Sequence, residues 1–589
     1  MAFDKAKDSP KDFESDSLTA IPYWRLPIAQ TVTPEVIRYD YQGSGTEKEP
    51  YIVQWIPEDP SNPLLFSTAR KWFITMTVAI ATLVVTLVSS AYTGGLAEIT
   101  KTFHLSREVS TLGISLFVLG FAIGPLLWAP LSEVFGRQIL FISTYAGLTI
   151  FNVACAVAPN GASLLVFRFL AGAFGSSPLT NAGGTIADMF PASQRGPATA
   201  IFALAPFLGP VLGPICGGFI GMNASWRWVM GFLAIFSGVV WIIGCLTIPE
   251  TYAPTLLRRR AAKLSAITGK VYISEIDLKE GQVSLRNSIK PALLRPWILL
   301  FREPIVLLLS IYMAIIYGTL YLFFAAFPII YQQTRGWNQG VSGLAFLGIT
   351  FGMMGAIIYM IPDNKRYIRV EQRHDGFAPP EARLPPAIVG SLAIPVGLFW
   401  FAWTNSPSIH WIISILAGIP FGFGMVLVFL SVMNYLIDSY TIFAASVLAA
   451  NCILRSLFGA AFPLFTVQMY ENLGLHWASS VPAFLALACV PFPYLFHKYG
   501  SRVRAHCQFA AESEAFMRTL KGSETQETPA DMVDEQAHQA NDSGDVSTGA
   551  DETIFTLNHA RASSAHGRLS SYDGNPYDID RVHTRSSFS

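Results

Sequence analysis

Two arginines, Arg168 and Arg455, stand inside runs that are otherwise apolar, and no Asp or Glu stands near the middle of any such run. A guanidinium at the centre of a bilayer costs about 2.5–3.5 kcal/mol on insertion scales, so each of these groups has to face inward and find acceptors. Asn451 lies one helical turn before Arg455 and shares its face. The carboxylates nearest to the apolar runs, Glu98, Glu133, Asp188, Asp438 and Glu471, fall at their ends. Covalent chemistry finds little here. His410 is isolated, no nucleophile stands beside a base, and neither a CxxC pair nor a His/Cys cluster suggests a metal. The expectation is therefore no enzyme, no cofactor and no metal. The chemistry left to these residues is the handling of charge inside a membrane.

Two short motifs place further groups. In Pro130-Leu131-Ser132-Glu133-Val134-Phe135-Gly136-Arg137-Gln138 a carboxylate and a guanidinium stand four residues apart across a tight connection, and Gly136 permits the turn. Such a pair suits a lock between helix ends. In Gly209-Pro210-Val211-Leu212-Gly213-Pro214-Ile215-Cys216-Gly217-Gly218, four of the ten residues are glycine and two are proline. Glycine costs about 1 kcal/mol and proline about 3 in a soluble helix interior. In a membrane span, neighbouring helices re-satisfy the freed backbone groups. Gly209, Gly213 and Gly217 recur every fourth residue and form a stripe that another helix can approach closely.

The elements that carry these groups follow from hydropathy. The chain has 589 residues, of which 52% are apolar and 14% charged, with 42 Phe, and its mean hydropathy is +0.41. This is the profile of a chain held mostly in lipid, and its zero net charge excludes a nucleic-acid footprint. Twelve segments are long enough to cross a hydrocarbon core of about 30 Å: 73–97, 109–132, 138–158, 162–187, 197–221, 228–248, 304–331, 340–361, 386–403, 410–437, 442–470 and 478–497. Five cysteines lie in the apolar runs and read as buried free thiols, while Cys507 lies in a polar tail. Seventeen Lys and Arg fall in the loops on the N-terminal side against four on the other, which puts both termini and the central polar stretch in the cytoplasm. The chain divides into a polar N-terminal segment (1–71), a first six-helix bundle (72–249), a central loop (250–303), a second six-helix bundle (304–499) and a disordered tail (500–589).

The loop motif, taken with twelve spans, resembles the cytoplasmic signature of the major facilitator superfamily, Gly-x-Leu-x-Asp-x-x-Gly-Arg-Lys. Glu133, Gly136 and Arg137 match it, while Ala129 and Gln138 depart from it. Leu164 to Gly172, around Arg168, is similar to the span-4 motif of proton-driven members, which implies a role for Arg168 in proton movement. Gly209, Gly213, Pro214, Gly217 and Gly218 match the span-5 signature of the drug:proton antiporters. Pro249-Glu250-Thr251-Tyr252, Phe301-Arg302-Glu303-Pro304, Tyr317 to Tyr321, Pro379 to Leu384 and Asn451 to Arg455 resemble the fungal multidrug branch. The resemblance covers residues 50–505 and implies an all-α membrane protein of the major facilitator fold.

It further implies proton-coupled efflux of small amphipathic organic molecules by alternating access, with Glu133, Gly136, Arg137, Arg168 and Asp188 as the switch and coupling set. Candidate cavity residues are Tyr92, Asn181, Tyr312, Tyr317, Tyr321, Phe323, Phe324, Asn451 and Arg455. The implied partners are lipid, a small organic substrate and protons, and the chain is expected to act as a monomer in the plasma membrane or, alternatively, the vacuolar membrane. An uptake symporter of the same fold and a non-transporting membrane sensor stay open as alternatives. No carboxylate in mid-span offers itself as the proton carrier. Asn223-Ala224-Ser225 is a glycosylation sequon expected on the outer side. The expected topology has a direct check: epitope tags at the two ends should both be accessible only after permeabilisation, and tags on opposite faces would make the span count odd.

Overall fold

The computed structural model describes residues 32–191, 194–280, 285–374 and 378–526. Apolar runs of this length form helices because lipid offers no partner for a bare backbone amide or carbonyl. The first six crossings are α1 (Thr68–Ala91), α2 (Arg107–Phe135), α3 (Arg137–Ala156), α4 (Gly161–Met189), α5 (Arg195–Asn223) and α6 (Trp226–Thr247). Between the two sets lie α7 (Ala253–Thr268) and α8 (Leu285–Arg302). The second set comprises α9 (Pro304–Phe327), α10 (Gln339–Arg373), α11 (Pro385–Thr404), α12 (Trp411–Ser439) and α13 (Ala444–Cys489), which runs on into α14 (Pro491–His506).

Among the described residues eleven helical segments are long and apolar enough to cross a membrane, and the last of them, Thr441–His506, holds 66 residues. At 1.5 Å per residue that length is about three times a hydrocarbon core, so it is not one crossing. Gly474, at φ 71° and ψ 174°, breaks the helix inside α13. The chain folds back there, because the Tyr470 and Ser479 hydroxyls meet at 2.8 Å, nine residues apart in sequence. Twelve crossings result.

The same pairing recurs in both sets. In the first, α1 packs on α5, α2 on α4, and α3 on α6. In the second, α9 packs on α13, α10 on α12, and α11 on both α12 and the folded-back part of α13. The sets meet where α2 lies against α13 and where the start of α10 lies against α5. Large apolar side chains such as Phe73, Ile80, Ile150, Ile235, Leu246, Phe351 and Ile358 remain exposed on the outer faces, where lipid is their solvent.

The polar stretches carry structure of their own, and one expectation, a tail disordered from residue 500, needs correction. The N-terminal segment and the central loop are folded onto each other over their described residues. Strand β1 (Tyr51–Val53) pairs in parallel with β2 (Tyr272–Ser274). Val36, Tyr41, Val53, Ile56, Leu257, Ala261 and Leu264 form a small separate core. Arg260 Nη1 meets Asp59 Oδ2 at 2.6 Å, with the two side chains 8% and 1% exposed. The tail expected to be disordered from residue 500 is helical as far as Gln526, through α14 and α15 (Gln508–Gln526). The Glu303 carboxylate fastens it by accepting from the Phe509 amide at 3.0 Å and the Tyr440 hydroxyl at 2.8 Å. Residues 1–31 and 527–589, the outer parts of the two polar ends, lie outside the described residues.

Removing one partner of a buried ion pair leaves an uncompensated charge and costs about 3–5 kcal/mol. Asp59→Ala is therefore expected to release the segment Pro34–Phe66 from α7 and speed tryptic cleavage at Arg38 and Lys48, while the spans stay protected. Unchanged cleavage would mean that the apolar core holds the segment without the ion pair.

Candidate functional site

The glycine stripe of α5 is packed on α1 without room for a side chain. A Cβ on Gly209 would stand 2.0 Å from Thr86 Oγ1 and 2.6 Å from the Leu83 carbonyl. On Gly213 it would meet Ser90 Oγ at 1.9 Å and the Ala91 amide at 2.7 Å, and on Gly217 the Ala91 carbonyl at 2.2 Å. Gly221 continues the line toward the Gly94 carbonyl. Thr86 Oγ1 donates to the Ala205 carbonyl at 3.1 Å, a bond between the two helices that this close approach permits. Gly218 points the other way, with its Cβ position 2.9 Å from the Gln339 carbonyl of α10. Pro214 belongs to that second contact, because a Cβ on Gly343 would stand 2.7 Å from its carbonyl. One helix thus touches α1 of its own set and α10 of the other along different faces. Asn223 ends α5 in an exposed position, and its Nδ2 donates to the Phe219 carbonyl at 2.9 Å.

A second centre lies at the loop end of α3. Gly136 takes φ 97°, and Arg137 starts the helix beyond it. The orphan amides at that start are met by a residue 113 positions away: Glu250 Oε1 accepts from Arg137 N at 2.9 Å and Glu250 Oε2 from Gln138 N at 3.4 Å. The same carboxylate accepts from the amides of Thr251 and Tyr252, each at 3.0 Å. A carboxylate at a helix N-terminus suits both the free N–H groups and the positive end of the dipole. Burial pushes the Glu250 carboxyl above the usual range, against the opposing pull of these amides and of Arg259. The Arg137 side chain, 8% exposed, ion-pairs with Asp188 at 3.6 Å, donates to Ser132 Oγ at 2.6 Å and lies over the Tyr252 ring at 4.8 Å. Thr251 Oγ1 donates to Asp188 Oδ2 at 3.1 Å.

Glu133, four residues before Arg137, is near enough to act on it electrostatically, but the close ion pair is with Asp188. Asn181, expected in the substrate cavity, belongs to this centre instead: its Oδ1 accepts from Arg137 at 3.5 Å and its Nδ2 donates to Ser177 Oγ at 3.0 Å. The second set repeats the arrangement. Arg383, before α11, pairs with Asp438, near the end of α12, at 2.8 Å, and Glu381 pairs with Arg504 at 2.9 Å. The available signal for this centre was the placement of Asp438, Glu381 and Arg383 at span ends.

The third centre joins the two sets inside the bundle. Arg168 is fully buried and takes its acceptors from backbone: Nε donates to the Gly113 carbonyl at 2.9 Å, and the two terminal nitrogens donate to the carbonyls of Val88 at 3.1 Å and Ser89 at 3.2 Å. Phe117 and Tyr92 supply ring faces at 4.3 and 4.9 Å. Ser89 Oγ lies 2.8 Å from Tyr321 Oη, and Tyr317 Oη donates to Tyr321 Oη at 3.3 Å. Arg455 lies over the Tyr317 ring at 4.7 Å and the Phe429 ring at 5.1 Å. A polar line thus runs from α4 through α1 and α9 to α13. Beside it a small space is lined by Phe207 of α5, Met313, Ile316 and Tyr317 of α9, and Met425 and Phe429 of α12.

Of the expected cavity residues, Tyr317 lines this space, with Tyr321 and Arg455 adjoining it. Tyr92 does not line it, because its hydroxyl donates to the Ser110 carbonyl at 3.1 Å and its ring supports Arg168. Tyr312 is buried without a hydrogen-bond partner for its hydroxyl among the described residues. Asn451 turns from the cavity to bind Ser310 Oγ and Met313 Sδ, each at 3.2 Å. Phe323 lines a separate small space within the second set, and Phe324 packs on Tyr321 at 4.9 Å. Phe207, Met425 and Phe429 were not foreseen, since an aromatic or thioether side chain in an apolar run reads as ordinary core.

A family model described as Major Facilitator Superfamily matches residues 78–463. The chain is 61% identical to "Major facilitator superfamily multidrug transporter mdrA" of Aspergillus fumigatus, with 100% of each chain covered. It is 62% identical to "MFS-type efflux pump MFS2" of Trichophyton rubrum, with 96% of each covered, and 53% identical to "Efflux pump FUBT" of Fusarium oxysporum, with 86% of each covered. Among solved structures it is similar to the proton:xylose symporter XylE at a TM-score of 0.53 and 15% identity, over 73% of this chain and 97% of the other, a likeness of fold.

Two substitutions test the packing and the capping. Gly213→Ala places its methyl 2.7 Å from a backbone amide, so α5 and α1 must separate. Transport is expected to fall by an order of magnitude or more, and an unchanged rate would show that this contact does not limit function. Glu250→Gln removes the charge from the start of α3 and is expected to cost about 1–3 kcal/mol, read as a lower midpoint of thermal unfolding in detergent.

Proposed function

The chain belongs to the Major Facilitator Superfamily, and from that premise we propose that it exports small amphipathic organic molecules, drugs or secondary metabolites, by alternating access. The observation that carries this reading is the cavity between the two sets of helices, whose walls are aromatic rings and methionines drawn from both. Such walls bind apolar bodies of varied shape, since methionine adapts and aromatic faces accept many partners. Relatives covering nearly the whole chain are named multidrug transporter and efflux pump, which supports outward over inward movement.

In this reading the twelve-crossing protein works as a monomer in the plasma membrane with both ends in the cytoplasm, and a proton enters as substrate leaves. One charge crossing 100 mV supplies about 2.3 kcal/mol, roughly a fifty-fold concentration ratio. The proposed switch is Gly136, Arg137 and Asp188 with the Glu250 cap, and Glu133 beside them. Opening the inner ends of the helices breaks the Arg137–Asp188 pair and exposes carboxylates that are buried in the closed packing. Arg168 is the proposed coupling element between that end and the cavity, through Ser89 and Tyr321. Asn223 is the proposed glycosylation site at the outer end of α5.

Cells lacking the protein, loaded with a labelled growth inhibitor, should accumulate it, and expression of this chain should lower the accumulation. Collapse of the pH gradient should abolish that difference. Faster uptake on expression would reverse the direction and favour a symporter, and absence of flux in proteoliposomes would favour a sensor.

A further inference from the structure

The two buried arginines are satisfied very differently. Arg168 gives its N–H groups to three backbone carbonyls and lies against two rings. Arg455 is 8% exposed, and its one hydrogen bond to another side chain is from Nη2 to Cys452 Sγ at 3.8 Å. Its Nε is buried without a partner. Among the described residues no carboxylate lies within ion-pair distance of it; the buried pairs belong to Arg137, Arg260 and Arg504. A guanidinium presents five N–H donors in a rigid fork that matches a carboxylate. Thiol and ring contacts leave most of that capacity unused and the charge uncompensated.

This unfilled fork borders the cavity. The two rings beneath the guanidinium, Tyr317 and Phe429, are themselves cavity walls. We infer that the cavity takes an organic anion, its acidic group seated on Arg455 and its apolar body among Phe207, Met313, Met425 and Phe429. The space is small in this packing, so seating an acid with its apolar body there requires the surrounding helices to part. Asn451 does not compete for the anion, since its amide is committed to Ser310 and Met313. Tyr321 lies one hydroxyl further along and is engaged with Ser89. The inference rests on the export reading for its biological meaning, but the binding preference stands on the site alone.

The test is calorimetric binding to the full chain in lipid nanodiscs, with 1-naphthoate and its neutral counterpart 1-naphthamide as probes. Wild type should bind the acid tighter than the amide by at least about ten-fold, the scale of a charge-assisted pair. Arg455→Gln should bring the two within about two-fold by weakening the acid, while amide binding holds and serves as the check on folding. Arg455→Lys should keep part of the preference, because it keeps the charge and loses the fork. Equal affinity of wild type for acid and amide would overturn the inference without any variant, as would a preference that survives Arg455→Gln. Acid preference without outward flux would leave the anion site standing and strike the export reading. Export of neutral compounds without acid preference would do the reverse.

Discussion

A charged or polar group held in a lipid-embedded bundle has to draw every partner from the protein, and the centre of this molecule is arranged around that necessity. Arg168 is the plainest case. Three carbonyls from α1 and α2 converge on one guanidinium, so the position of α4 relative to both helices is set by hydrogen-bond geometry as well as by apolar packing. The same contacts bring Ser89 to Tyr321 and carry the polar line across to the second set. Arg455 closes that line on the far side with fewer acceptors.

Close approach makes these contacts possible. The stripe Gly209, Gly213, Gly217 and Gly221 lets α5 lie against α1 with backbone almost on backbone, and Gly218 lets its other face touch α10. A helix that touches both sets through glycine has little side-chain interlock to hold it. Under the proposed alternating access it is the helix best suited to slide or tilt between the two units. The prolines in α5 remove amides that only a crowded helical neighbourhood tolerates.

The loop end is built on opposite logic, with charges tightly paired. Glu250 caps α3, and Arg137 reaches Asp188 and the Tyr252 ring. In the second set Arg383 reaches Asp438 and Arg504 reaches Glu381. The folded N-terminal segment and central loop lie next to the first of these centres, and α15, pinned by Glu303, lies next to the second. Polar stretches that composition marks as loops are thus fastened by a few buried contacts. Three-residue strands more than 200 positions apart leave no pattern in either segment that would disclose their pairing.

Local physics determined a good deal of this protein. Hydropathy runs with lipid-length periods dictate helices, and their number follows from length, although Gly474 had to turn the chain back for the last two to be separate. The four-residue recurrence of glycine dictates a close-packed face, and the cost of a charge in hydrocarbon dictates that Arg168 and Arg455 face inward. Those are properties of a residue and its near neighbours in sequence. Tertiary structure alone decided which partners they meet. Asp188, on another helix, pairs with Arg137, Glu250 caps a helix more than a hundred residues before it, and Asn181 leaves the cavity for the charge cluster. Phe207 and Phe429, unremarkable in their own segments, become facing walls. Pairing across the bundle depends on where helices cross and how they are rotated, and that is a property of all twelve together.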